Sequence, residues 1–141
     1  MANSELLRHQ KIRSLMAQHP EKVADAAIDL WEQMATQIIS IVGEGGFNSL
    51  YLRSVFLARA RFPWLAVAVP STQRDHLFTQ LQTSLAEQTP EQASAANCLL
   101  LITFTDILAA LIGEPLTTSI LGSAWGNDVS DTANKEFKNE Q

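Results

Sequence analysis

A chain of 141 residues that is 46% hydrophobic and 18% charged can bury one substantial core, and it is too apolar to be unstructured throughout. Ten basic side chains against fifteen acidic ones leave a net charge of −5. That balance lacks the clustered lysine and arginine with which a nucleic-acid binder neutralises phosphates.

The first stretch, MANSELLRHQKIRSLMAQHP, is interrupted by Arg8, His9, Gln10, Lys11 and Arg13, which is not the uninterrupted apolar core of a signal peptide. Leu6, Leu7, Leu15 and Met16 mark a first helix near residues 4–18. From 21 to 42 the apolar residues Ala24, Ala27, Ile28, Trp31, Met34, Ala35, Ile38, Ile41 and Val42 follow three-four spacing, with Asp25, Asp29, Glu32, Gln33, Thr36, Gln37 and Ser40 opposite. This is an amphipathic second helix, opened by Pro20-Glu21 and stopped by Gly43. Residues 45–61 read as a third helix closed by Phe62-Pro63, with apolar residues around most of its circumference and hence largely buried.

Trp64 to Val69 lies between two prolines and has no strand-like partner, so it is read as a connecting loop or a single helical turn. Ser71 then caps a fourth helix striped by Leu77, Phe78, Leu81 and Leu85. Thr89-Pro90-Glu91-Gln92 combines a capping threonine, a proline at the first helical position and a glutamine at the capping-box position. It starts a fifth helix that runs to Ile112. Gly113 stops that helix and Pro115 begins a sixth, which ends near Trp125. The apolar run 98–112 is shorter than the roughly twenty residues a membrane span needs and contains Asp106, so a core helix in a cytoplasmic protein is expected. Residues 127–141 carry no apolar stripe and read as a disordered tail. The expectation is an all-α, single-domain bundle of about six helices over residues 1–126.

The bundle also carries an internal echo. LWEQMATQIISIVGE (30–44) and LLITFTDILAALIGE (100–114) lie seventy positions apart, and both end in glycine-glutamate before another helix. Each half therefore reads as a helical hairpin; two such hairpins could pack pseudo-symmetrically, since neither buries its apolar face alone, although any two amphipathic helices ending in glycine show a few such matches.

Few residues offer chemistry. His9, His19 and His76 share no helical spacing with one another and no zinc pattern with Cys98, so no metal site is expected. There is no G-x-S-x-G, and Cys98 beside a run of leucines reads as a small core residue and not a nucleophile. The lone cysteine also forbids an intramolecular disulfide and fits a reducing compartment. The turn Gly43-Glu44-Gly45-Gly46 lacks the lysine and preceding strand of a phosphate loop.

Charge, however, is unevenly placed. Residues 45–74 contain four arginines and no acid, and residues 75–134 contain seven acids and no lysine or arginine. Asp106 sits in the most apolar helix and must find a partner or a proton. Arg53, in another apolar helix, is the expected partner, as a register-fixing pair or as contacts to a ligand. Trp31, Trp64 and Trp125 stand near helix surfaces or ends and are candidates for an interaction surface.

Three strings, GEGGFNSLYLRS (43–54), FPWL (62–65) and LIGEPLTTSIL followed by AW (111–125), resemble a group of uncharacterised bacterial helical domains that stand alone or beside signalling and ATPase modules. The resemblance spans residues 30–125 and rests on turn and packing residues. It implies a bacterial source and a signalling context, and it transfers no catalytic residue, cofactor or substrate. The resulting expectation is a non-enzymatic, homodimeric or partner-binding adaptor module. The alternatives are a small-molecule sensor with a cavity between the central helices and a catalytic domain completed only in a complex.

Overall fold

The computed structural model describes residues 2–17, 22–65 and 74–125. Five helices follow in order: α1 (Ala2–Ala17), α2 (Val23–Ala58), α3 (Arg74–Ala86), α4 (Pro90–Ile112) and α5 (Glu114–Trp125). Among the described residues there is no strand, and the fold is all-α. The expected opening residues of α2, Pro20 and Glu21, lie outside the described residues, as do the cap Ser71, most of the 64–69 connector and the 127–141 tail.

The count is five and not six because the expected second and third helices run on as one element with a kink. Gly43 alone inside α2 is non-helical, at φ 83° and ψ 164°. Gly113, between α4 and α5, has nearly the same conformation, at φ 96° and ψ 150°. Both fall in a region of backbone space that is essentially glycine-only, because a Cβ there meets its own chain. Pro115 adds a further stop signal at the second joint: it lacks an N–H and its ring opposes the carbonyl four residues back. The residues after Gly43 carry no such obstacle.

Helix α4 starts as its sequence dictates. The Thr89 hydroxyl accepts from the Gln92 N–H at 3.2 Å, and Pro90 occupies the first turn. It begins eight residues before the apolar run at Cys98, so at 23 residues it is long and apolar enough to cross a bilayer. In this fold it is the central helix, packed against the other four. Leu100, Leu101, Phe104 and Leu108 have no exposed surface.

The seventy-residue echo reappears in burial. Val23, Ala27, Trp31, Met34, Ala35 and Ile38 are buried, and so are Ala93, Asn97, Leu101, Phe104, Thr105 and Leu108 at matching positions. Beyond the glycines, Phe47, Tyr51 and Val55 match Thr117, Leu121 and Trp125, all buried. Ile41 and Leu111 match as well, and both point outward. The same three-four spacing on each side of a glycine bend produces the same inward set.

Two burial expectations need correction. The C-terminal half of α2 is buried along one face only, because Phe56 and Leu57 face solvent. On α1 the inward face is Arg8, Ile12, Leu15 and Met16, while Leu6 and Leu7 are exposed. Four leucine and methionine positions could not by themselves choose the helical phase; docking against α4 and α5 chose it.

The two bends give a direct test. Gly43→Ala and Gly113→Ala should each lower stability by about 1–3 kcal/mol through backbone strain. Space is not the cause, since a Cβ at Gly43 meets nothing within 4 Å and one at Gly113 makes only ordinary contact with Pro115. Gly45→Ala, in open space inside the helix, should instead stabilise by about 0.4–1 kcal/mol. Urea denaturation of the three variants measures both signs.

Candidate functional site

Asp106 finds its partner on α1, and the partner is not Arg53. Arg53 is exposed on α2, with its guanidinium carbon 5.9 Å from the centroid of the Phe56 ring three residues along the same helix. With no acid between residues 45 and 74, nothing local draws it inward. The buried cation is Arg8, whose side chain is 3% exposed.

Arg8 commits four of its five N–H donors. Its Nε donates to Glu114 Oε2 at 2.9 Å and its Nη2 to Glu114 Oε1 at 3.0 Å, a forked pair with the first residue of α5. Its Nη1 donates to Thr105 Oγ1 and to Asp106 Oδ1, both at 2.7 Å. Thr105 in turn donates to the carbonyl of Leu101 at 2.9 Å, so α4 supplies a preset acceptor. The carboxylate of Glu114 also accepts from Thr118 Oγ1 at 3.3 Å. One arginine thus ties α1 to both α4 and α5.

His9 lies beside this network with Nε2 2.9 Å from Asp106 Oδ1. Glu5, one turn earlier on α1, brings a carboxylate to the same place: one ligand atom from each of Glu5, His9 and Asp106 lies within 4.8 Å of the others. Sequence spacing did not reveal this group, because two members sit on α1 and the third lies about a hundred positions away. The available signal was the run of residues 75–134 without a single lysine or arginine, which obliges Asp106 and Glu114 to find cations elsewhere.

Electrostatics follow from the contacts. Burial alone would lower the Arg8 pKa, but hydrogen bonds to Glu114 and Asp106 outweigh it and the net shift is upward. The hydrogen bond from Arg8 holds the Glu114 carboxyl below its ordinary value of 4.5. Burial pushes the Cys98 thiol up, as befits an unreactive half-buried residue.

The tryptophans divide differently from the expected interaction surface. Trp31 has no exposed surface, and its ring contacts Phe47, Tyr51, Phe78 and Phe104 at centroid distances of 5.2–6.5 Å. Its Nε1–H donates to Asn97 Oδ1 at 2.8 Å. Trp125 is also buried, donating to the Leu30 carbonyl at 3.0 Å. Both are core anchors because an indole N–H can be buried once it has an acceptor. Trp64 is half-buried and packs edge-on against Phe62.

One surface depression, of about 320 Å³, lies between the start of α2 and the α3–α4 connection, lined by Lys22, Asp25, Leu85, Gln88 and Pro90 among others. A smaller one of about 50 Å³ lies between α1 and α5, bordered by Arg8, Lys11 and Trp125. The space between α2 and α4 is filled by Trp31 and the four rings around it.

No known protein family, curated protein or solved structure matches this chain. The site has to be read from its own geometry.

Removing the cation should be costly where the structure places it. Arg8→Ala should destabilise by about 1–3 kcal/mol, the partners being partly open to water, whereas Arg53→Ala should stay within about 0.5 kcal/mol of the parent. Because the Glu114 pKa is lowered on folding, its contribution is present above pH 4.5 and is lost as pH falls through the lower folded value. A melting-temperature profile should therefore drop across that acid window, and Glu114→Gln should flatten the drop.

Proposed function

We propose that the protein is a non-enzymatic helical interaction module that works by self-association in a cytoplasmic signalling or regulatory setting. The observation that carries this reading is a set of large apolar side chains left outside a core that is already filled. Leu6 and Leu7 are 57% and 64% exposed, and Leu111 and Leu116 are 65% and 44% exposed. Leu7 adjoins Arg8 in the sequence, and Leu111 and Leu116 lie three and two residues from its ion-pair partner Glu114. Apolar side chains clustered around a polar pair have the make-up of a surface that excludes water against a partner. A second copy is the economical occupant, because a two-fold contact lets one patch cover itself.

A sensor with an internal cavity would need room between the central helices, where the rings of Trp31, Phe47, Tyr51, Phe78 and Phe104 stand in mutual contact. The interaction reading needs no such space.

Sedimentation or light scattering at rising micromolar concentration tests the reading. The expected result is a species of about twice the 15.5 kDa chain mass. Leu111→Glu should return it to a monomer with unchanged helicity, while Phe56→Glu, at the far end of α2, should leave it dimeric. A monomer throughout, or a dimer broken by Phe56→Glu and not by Leu111→Glu, overturns the proposal.

A further inference from the structure

We propose that Glu5, His9 and Asp106 form a binding site for one zinc ion at the junction of α1 and α4. Among the described residues these three side chains bring an imidazole nitrogen and two carboxylate oxygens to within 4.8 Å of one another. Glu5 and His9 are four residues apart on one helix and therefore share a face, and Asp106 reaches them from a second helix. The site thus has two fixed walls and not one flexible chain segment.

Its chemistry suits a borderline metal. One imidazole with two carboxylates is a nitrogen-oxygen donor set of the kind zinc accepts in tetrahedral geometry, with water in the fourth position. Water has access, since the Asp106 side chain is 38% exposed and that of His9 is 18% exposed. Calcium and magnesium prefer all-oxygen shells with more ligands than three side chains supply.

Charge points the same way. Asp106 and Glu114 share the Arg8 guanidinium, whose forked contact commits it chiefly to Glu114, and Glu5 adds a second carboxylate beside Asp106. A divalent cation offsets the charge of Glu5 and Asp106. Arg8 Nη1, at 2.7 Å from Asp106 Oδ1, holds that carboxylate in place, as hydrogen-bonded neighbours of metal ligands do. Zinc would take the place of the proton shared between His9 Nε2 and Asp106 Oδ1. A neutral ring moves that proton to Nδ1, and a charged ring releases it to solvent.

Isothermal titration of the full chain with zinc chloride tests the site. One ion per chain is expected, with Glu5→Gln and His9→Gln each weakening binding by about tenfold or more. His76→Gln, on an exposed position of α3, should change nothing. Zinc should also raise the melting temperature of the parent and not of the two ligand variants, whose zinc-free melting curves report separately on folding. No saturable binding, parental affinity in both ligand variants, or loss of binding in His76→Gln each overturns the proposal.

Discussion

The hydrogen bond between the Trp31 indole and the Asn97 side chain is the constraint on which the rest of this bundle rests. Both residues are fully buried, and they lie on the two long helices, α2 and α4. An indole N–H sealed from water without an acceptor would cost about 1–3 kcal/mol, so the two helices have essentially one register in which the core can close. Asn97 also donates to the sulfur of Met16 at 3.0 Å, extending the tie to α1. Around the indole, Phe47 and Tyr51 come from beyond the kink of α2, Phe78 from α3 and Phe104 from α4. Four segments therefore meet at one side chain.

Given that center, the two glycine bends become necessary. Phe47 and Tyr51 can reach the Trp31 ring only because α2 changes direction at Gly43. Trp125 reaches back to the Leu30 carbonyl after the chain turns at Gly113. The matched burial on either side of the two bends follows from similar inputs: three-four apolar spacing, a glycine at positive φ, then three-four spacing again. The matched halves do not carry the same polar chemistry. Glu114 receives Arg8, while Glu44, its counterpart, is exposed.

That asymmetry puts the chemistry at one end of the molecule. Arg8 is the only basic side chain among the described residues that is buried, and it is buried because Glu114, Thr105 and Asp106 supply acceptors for its donors. His9 and Glu5 come with it on the same helix. The exposed leucines of α1 and of the α4–α5 joint belong to the same helices as this group, so the proposed ion site and the proposed self-association surface draw on the same elements.

Much of this architecture was legible in the sequence by itself. The all-α class, the helical stretches, the threonine cap at Thr89 and the positions of both glycine bends follow from periodicity and local backbone preference, which act over a few residues. So does the need of Asp106 for a partner, since any carboxylate in an apolar helix has one. What only the tertiary structure decided is which groups meet across long separations. Arg8 rather than Arg53 took Asp106, Trp31 and Trp125 became core anchors instead of surface contacts, and Leu6 and Leu7 turned outward. Helical phase and pairing at those positions depend on which faces dock. Docking is fixed by closing the aromatic core around Trp31 and satisfying its buried polar groups, a condition no short stretch of sequence contains.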